Sequence, residues 1–304
     1  MSIKKISFSD YVKVDALNCS SLVNIEKSPL HFQWAKANPR DTKTLVNGRA
    51  VHTLILEPEL FNEIYAVEPR KEDYKFVTID DLKQLCEKYG TKKSGKKEDI
   101  LKELSTLISE DERKQIYDFT VSAFYVESQG KEILSTKEYQ EAKAIADSVL
   151  KSPRVQAMLK KGQSECSIFQ TVEGVSMKFR LDFFVEGSFF LDVKTCRSCE
   201  PREFVNDFIN YSYDVKCAAY QHAIFLETGK QIPCVILACE TTDELDYKVY
   251  EIDQEFLDIG LKKFFKLLNK WKECTDKNEW PGMNKKVEKL FPPEWYLKKE
   301  YTVE

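Results

Sequence analysis

The sequence predicts an α/β fold in which helices flank a mixed central sheet, and two observations support this. Three strand candidates, ECSIFQTV, VSMKFRLDFFV and SFFLDVKT, follow one another with Glu-Gly turns between them. Helical patterns precede this block, separate it from two later strand candidates, IPCVILACET and YKVYEID, and follow them. The resulting order α-β-β-β-α-β-β-α is typical of one sheet packed between helices.

Two helices are expected near the start of the chain. The first lies in CSSLVNIEKSPLHFQWAK; it can be capped by Ser20 or Ser21 and is expected to end near Ser28-Pro29. The second covers DTKTLVNGRAVHTLILEPELF, where His52 follows Gly48 by four residues, so that both lie on one side of the helix. The apolar face of this second helix consists of Leu45, Ala50, Val51, Leu54 and Ile55.

The middle of the chain is also predicted to be helical. The segment TIDDLKQLCEKYG has Thr78 as its N-cap and Gly90 as its stop, and KKEDILKELSTL forms a second amphipathic helix after a basic turn. Residues 109–131 are expected to be helical, and a strong helix follows from Thr136 as N-cap, with a shorter one after Pro153. We therefore divide the chain into a main domain of residues 1–75 and 109–304 and an inserted helical pair of residues 76–108.

Two helical segments are predicted after the three strands. One helical stretch runs from Pro201 to about Leu226 and stops at Gly229, and a long amphipathic helix covers QEFLDIGLKKFFKLLNKW before a tail rich in proline and tryptophan. No internal repeat is visible along the chain.

Composition limits the protein class. The formal net charge is −4 over 304 residues, which argues against a surface that is basic throughout. The segment MSIKKISFSDYVKVD lacks the apolar stretch of a signal peptide, and no window has the apolar length of a membrane-spanning helix. Nine cysteines at irregular spacing are typical of a reduced protein, and we expect a cytoplasmic one without membrane contact.

Charged residues stand inside the most apolar strands. Asp182 and Asp192 lie among bulky side chains, and Lys194 follows two positions later. A carboxylate in an apolar sheet is costly unless it is paired or binds a cation. One interpretation is structural, with the two aspartates paired to Arg180 and Lys194. The presence of two aspartates on adjacent strands, with a lysine beside them, favours a functional site.

The length of the turn between the two strands decides whether the aspartates meet. A two-residue loop at Glu186 and Gly187 would send them to opposite faces of the sheet. A three-residue loop, or one bulge, would bring Asp182 opposite Asp192, and Gly187 suits the positive φ of such a loop. Lys194 then shares a face with Asp192. Two hard oxygen ligands beside an ammonium group predict a site for Mg²⁺ or Mn²⁺ that hydrolyses phosphodiesters.

This spacing of Asp182, Asp192 and Lys194 resembles the motif of the PD-(D/E)XK nuclease superfamily, whose restriction-endonuclease-like core has the same order of elements. The stretches VNGRAVHTLILEPELF, SECSIF, FRLDFF and LDVKT, with LNCSSLVNIEKSPLHFQWA near the start and LFPPEWY near the end, resemble the RecE-type exonucleases (exodeoxyribonuclease VIII) of phages and prophages. The resemblance covers most of the chain.

The resemblance implies roles for individual residues. His52, Asp182, Asp192 and the backbone carbonyl of Val193 would hold the metal, and Lys194 would be the catalytic lysine, with the two aspartates counted in the catalytic set. Glu165 would serve a second metal or orient water, although a solvated residue at the start of a strand is about as good an interpretation.

The helix after the sheet departs from the family pattern. Relatives carry glutamine and tyrosine four residues apart near the site, whereas YDVKCAAYQ has Lys216 at the glutamine position and keeps Tyr220. A lysine there can meet a phosphate, and the tyrosine can equally be part of the core. Both residues are predicted to contact DNA.

The inserted pair resembles a SAP-type helix-extension-helix module, which binds DNA. Its turn combines a helix start with four lysines, and both features favour phosphate contacts. A solvated hairpin without a special role is the alternative. The four lysines are Lys92, Lys93, Lys96 and Lys97.

Together these features predict a Mg²⁺-dependent exodeoxyribonuclease, with Mn²⁺ as an alternative ion. By the resemblance it digests double-stranded DNA from its ends, 5′ to 3′, leaves a 3′ single strand for a single-strand annealing protein, and forms a homo-oligomeric ring. The alternatives are an endonuclease of the same superfamily and a catalytically inactive DNA-binding protein.

Overall fold

The computed structural model describes residues 3–39, 41–283 and 287–297, so parts of the predicted main domain at both chain ends lie outside the described residues. The predicted α/β fold with a mixed central sheet is confirmed. The strands are β1 (Lys4–Lys5), β2 (Leu17–Asn18), β3 (Tyr65–Val67), β4 (Glu132–Leu134), β5 (Gln163–Val172), β6 (Val175–Val185), β7 (Phe189–Cys196), β8 (Cys234–Glu240) and β9 (Tyr247–Glu251).

The central sheet runs in the order β1-β5-β6-β7-β8-β9, with β2 beside the first part of β6. Strands β5, β6 and β7 form an antiparallel meander, β7 and β8 are parallel, and β8 and β9 are antiparallel. The parallel step needs a helical connection between β7 and β8. Strands β3 and β4 form a separate parallel pair.

Helices cover both faces of this sheet. Those before it are α1 (Phe8–Lys13), α2 (Cys19–Leu22), α3 (Pro29–Ala37), α4 (Lys43–Leu56), α5 (Phe61–Ile64), α6 (Ile79–Lys88), α7 (Lys97–Leu104), α8 (Glu110–Arg113), α9 (Tyr117–Glu127), α10 (Thr136–Leu150) and α11 (Pro153–Leu159). Those after its meander are α12 (Pro201–Asn210), α13 (Tyr213–Thr228), α14 (Gln254–Lys277) and α15 (Glu294–Leu297). None of the helices in the described part of the chain is long and apolar enough to cross a bilayer.

Three hydrophobic clusters hold these layers together. The largest packs one face of the sheet against α13, α14 and the N-terminal helices, and includes Phe179, Phe190 and Phe264. The second packs the other face against α4 and α10. The third belongs to the helical segment around α6 and α7; it also includes Ile116 and Phe119, which lie beyond residue 108.

Three helix starts differ from the prediction. The first helix is capped by Asn18, not by Ser20 or Ser21, and Ser28 caps the start of α3 instead of closing the previous helix. Proline is tolerated at the first position of a helix, so the Ser28-Pro29 pair marks a start as well as a stop. Likewise Ser135, not Thr136, caps α10 through a capping box with Glu138.

Other helix predictions are correct in position, except that the stretch from Pro201 is two helices instead of one. Thr78 caps α6 through a capping box, and α4 ends one residue before the Glu57-Pro58 step. The stretch from Pro201 is broken into α12 and α13 at Ser212, whose φ of 54° is left-handed, and α13 ends at Gly229 as expected.

Candidate active site

The predicted site lies where β6 and β7 separate. A three-residue loop connects them, with Gly187 at a φ of 68°, and the ladder pairs Phe183 with Leu191. Continuing this register by one residue brings Asp182 opposite Asp192, as the three-residue alternative predicted. The ladder ends at the pair before this level, and here the side-chain carboxylate of Asp182 accepts a hydrogen bond from the backbone N–H of Val193.

Glu165 lies at the same level on the neighbouring strand. The pairs on either side of it, Ser164 with Phe183 and Cys166 with Leu181, place Glu165 opposite Asp182. Its φ of 55° is unusual for a residue other than glycine and interrupts the ladder at this point. Three carboxylates therefore form a row across β5, β6 and β7, which we call the carboxylate row: Glu165, Asp182 and Asp192.

Asp182 joins three elements. Its Oδ2 accepts a hydrogen bond from the backbone N–H of Val193 at 2.8 Å and lies 3.4 Å from Nδ1 of His52 on α4. Burial, followed by the charge of Asp192, raises the pKa of Asp182, while His52 and Lys194 oppose this. Without a bound cation the site therefore disfavours the ionised form of Asp182, and added positive charge at this point would stabilise it.

Lys194 contacts the oxygen atoms at the other end of the row. Its ammonium forms an ion pair with the buried carboxylate of Asp192 and donates to the carbonyl of Val193 at 3.2 Å. Burial opposes the charge of Lys194, but Asp192 and Asp182 outweigh burial and hold its pKa above the usual value. Half of the structural interpretation is therefore correct, because Lys194 does pair with Asp192.

Glu165 pairs with Arg180, so Arg180 is not the partner of Asp182 that the structural interpretation proposed. Burial, followed by the charge of Asp182, raises the pKa of Glu165 to about 7, and the Arg180 guanidinium opposes this rise. The side chain is about one-fifth exposed. Glu165 is therefore a part-buried ionisable group and not a solvated residue at the end of a strand.

Helix α13 borders the site. Two ammonium groups, one from β7 and one from α13 itself, lie near an aromatic ring of this helix. The Nζ atoms of Lys194 and Lys216 each lie 5.2 Å from the centroid of the Tyr213 ring. Burial and then the charge of Lys194 lower the pKa of Lys216. Tyr220 packs edge-on against Phe179 in the largest cluster, and burial raises its pKa well above the usual value. Lys216 therefore lies beside the predicted catalytic residues, and the half-buried Tyr220 packs against the core close enough to Asp192 and Asp182 for their charges to raise its pKa further.

The donor atoms at this site are of the types that bind a hard divalent cation. Two carboxylates, one backbone carbonyl and one imidazole are the ligands that Mg²⁺ and Mn²⁺ accept. Within residues 3–39, 41–283 and 287–297, no group of three His, Cys, Asp or Glu side chains is already arranged to hold a metal ion. Lys194 bridges Asp192 and the carbonyl of Val193, so a cation that uses those oxygens requires the ammonium group to turn away.

The four lysines of the inserted pair differ in their contacts. Lys93 forms an ion pair with Glu87, and Lys97 lies 2.8 Å from Asp118 and donates to the carbonyl of Val77. The side chains of the other two are exposed, and their DNA contacts stay a prediction; these are Lys92 and Lys96.

Sequence reasoning did not assign functions to Arg180 and Tyr213. A charged residue two positions before Asp182, on the same face of a strand, was the available signal for Arg180. Tyr213 had no distinct signal, since its position depends on the break between α12 and α13.

Comparisons with known proteins agree with this geometry. The model of a family described as PDDEXK-like domain of unknown function (DUF3799) matches residues 18–290. A solved protein from Eubacterium rectale, provisionally named as an exonuclease, is 11% identical over 98% of this chain and 99% of its own, with a TM-score of 0.60. This degree of identity supports a shared fold alone.

A second solved structure, of SSO0001, is 15% identical over 73% of this chain and 86% of its own. Its TM-score of 0.25 is too low to support any argument. None of the curated proteins matches the chain significantly.

Proposed function

We propose that this chain, which belongs to the family of PDDEXK-like domains, is a metal-dependent nuclease that hydrolyses double-stranded DNA from its ends. One observation carries the proposal. Asp182 and Asp192 lie opposite each other at the β6–β7 fork, with His52 against the first and Lys194 on the second. Carboxylates this close together weaken a sheet unless cationic side chains or a bound cation offset their charge.

Each side chain has a defined task in this mechanism. Asp182 and Asp192 provide charged oxygens, the carbonyl of Val193 provides a neutral one, and His52 provides a nitrogen. Because Asp182 is hydrogen-bonded to the Val193 N–H, its carboxylate is held in orientation before any ligand arrives. A divalent cation at these atoms would neutralise the charge of the scissile phosphate and favour loss of a proton from the attacking water.

Lys194 acts as a charged donor in this arrangement. In the metal-free site the two aspartates hold the pKa of Lys194 above its usual value, so its ammonium group is protonated and donates hydrogen bonds there. Once it turns from Asp192, its ammonium group can orient the attacking water or stabilise the phosphate oxygens that gain charge in the transition state. Glu165 is the remaining carboxylate able to orient water, and Lys216 can meet a neighbouring phosphate.

The finer assignments rest on the resemblance to RecE-type exonucleases. It supports 5′-to-3′ digestion, a 3′ single strand passed to an annealing protein, and assembly into a ring. The similarity of residues 76–108 to a SAP-type module supports backbone contacts by the exposed lysines. Nine free, buried cysteines are consistent with a reducing compartment such as the cytoplasm.

Digestion of linear and closed-circular duplex DNA with Mg²⁺ tests the proposal, with the wild type and Lys194→Ala compared. We expect loss of linear DNA alone, and loss of that activity in the variant by at least about 100-fold. Cleavage of closed circles would replace the proposal with an endonuclease. Retained DNA binding without cleavage in either Mg²⁺ or Mn²⁺ would indicate a binding protein on a nuclease scaffold.

A further inference from the structure

We infer that Arg180 takes the place of a second divalent cation beside Glu165, so that the site holds a single cation. This inference rests on the proposed function, because it concerns how the same site is loaded. Sites for two cations hold the ions about 3.5–4 Å apart between shared oxygen ligands. The carboxylate row offers such oxygens, but Glu165 at its outer end is already paired with a guanidinium group.

The guanidinium of Arg180 is held on several sides. Its Nη1 donates to the carbonyl of Ile6 at 3.2 Å and lies 3.5 Å from the hydroxyl of Ser167. Its centre lies 5.7 Å from the ring centroid of Phe8 and 5.5 Å from that of Tyr11. Arg180 can leave Glu165 only if it gives up a carbonyl, a hydroxyl and two aromatic contacts together.

The N-terminal segment that holds Arg180 is fastened in turn. The buried ammonium group of Lys178 donates to the carbonyls of Tyr11, Val12 and Val14, at 3.1, 3.1 and 2.7 Å. Tyr11 and Val12 lie in the last turn of α1 and Val14 is its C-cap, a region where carbonyls lack the regular helical hydrogen bond. Lys178 and Arg180, two positions apart on β6, thus fix the segment of residues 6–14 against the sheet.

The two ends of the row therefore behave differently. Lys194 touches Asp192 through one unbranched side chain whose other neighbours are a carbonyl and the face of Tyr213, so it can turn aside for a cation. Arg180 would lose more contacts than Lys194 if it turned aside. With Glu165 paired to Arg180, Asp182 and Asp192 are the carboxylates of the row left for a cation, and they can hold one divalent ion once Lys194 has turned from Asp192.

The number of Mn²⁺ ions bound by the full chain, without DNA, tests the inference. Calorimetric titration gives the number, and electron paramagnetic resonance reveals two ions that lie a few ångströms apart through their spin coupling. Only those ions that the Asp182→Asn variant no longer binds are counted as belonging to the site. We expect one in the wild type and two spin-coupled ions in Arg180→Gln, returning to one when Glu165→Gln is added. Arg70→Gln, which breaks the exposed pair with Asp73, is the matched control and should bind as the wild type does.

If circular dichroism shows that Arg180→Gln does not fold, a second variant still tests the inference. Glu165→Gln alone should still bind one Mn²⁺ at the site, because Glu165 is not a ligand while Arg180 holds it, although the unpaired charge of Arg180 weakens the affinity. Two ions in the wild type, one ion in folded Arg180→Gln, or loss of the site-bound ion in Glu165→Gln would overturn the inference while leaving the nuclease proposal intact. No site-bound ion in the wild type would overturn both.

Discussion

The carboxylate of Asp182 accepts a hydrogen bond from the backbone N–H of Val193 at 2.8 Å, across the point where β6 and β7 separate. The same carboxylate is a predicted metal ligand. It therefore both joins the strands beyond the last ladder pair and supplies charge to the site. The two tasks can be separated, because an amide oxygen can accept the hydrogen bond but carries no charge.

Replacing Asp182 by asparagine or alanine should separate fold from chemistry. Both variants should lose cleavage of linear duplex DNA by at least about 100-fold, because each lacks a charged ligand. Only alanine leaves the buried N–H of Val193 without its acceptor, so the alanine variant should be less stable than the asparagine variant by about 1–2 kcal/mol. Urea unfolding measures the difference. Equal stability of the two variants would show that the hydrogen bond does not support the fold.

The raised pKa of Glu165 predicts a pH-dependent stability of the metal-free protein. The folded state binds this proton more tightly than the unfolded chain, so the stabilisation is present below the unfolded pKa of 4.5 and is lost as pH rises toward 7. Glu165→Gln removes this titration. The free energy of unfolding of the wild type relative to the variant should therefore fall by about 2–3 kcal/mol between pH 4.5 and pH 8.

Chemical unfolding at several pH values, in the presence of a chelator, measures this difference. Glu63→Gln, which alters a carboxylate outside the carboxylate row, should show no such trend and is the control. A constant difference between the wild type and Glu165→Gln would mean that Glu165 has an ordinary pKa in the folded protein.

Lys178 should contribute to stability through the end of α1. Replacement by methionine keeps the length of the side chain but removes the donor to three backbone carbonyls. Because those groups lose a charged partner in a buried setting, we expect a loss of about 2–4 kcal/mol in the free energy of unfolding. Lys272→Met, which removes one exposed bond to the carbonyl of Glu173, should cost less than about 1 kcal/mol. Similar losses in the two variants would contradict a special role for Lys178.

Local signals in the sequence were sufficient for the fold class and for the register at the β6–β7 turn, but not for the short strands β1 to β4. Gly187 indicated a turn that tolerates positive φ, and the period-two alternation of the strands then offered two registers, of which the structure has the one that brings Asp182 opposite Asp192. The alternation also placed Lys194 on the face of Asp192, where the two pair. These relationships involve residues close in the chain, so the pattern carries them.

Relationships between distant residues could not be read in this way. The pair of Arg180 with Glu165 depends on a left-handed backbone at Glu165, which no neighbouring residue signals. Arg180 is positioned by contacts with an N-terminal segment more than 160 residues away in the chain, including its hydrogen bond to the carbonyl of Ile6. The Ser28-Pro29 pair was misread because the same residues can begin a helix or end one.

Four lysines of the inserted helical pair provide a test of its proposed DNA contacts. Lys92 and Lys96 are exposed, whereas the ammonium groups of Lys93 and Lys97 are engaged with carboxylates of the protein. Each phosphate contact that is lost lowers the slope of log affinity against log salt by about 0.9. Replacing Lys92 and Lys96 by glutamine should therefore lower that slope by about 2 and weaken binding to all sequences alike.

Replacing Lys93 and Lys97 by glutamine is the matched control, since it removes the same charge from the same turn but from groups already paired. Binding to a short duplex, measured over a range of salt concentrations in the Lys194→Ala background without divalent cations, separates affinity from cleavage. A smaller change in the control pair than in the exposed pair would support direct phosphate contacts. Equal changes would mean that only the net charge of the turn matters, and no change in either pair would remove this segment from the DNA interface.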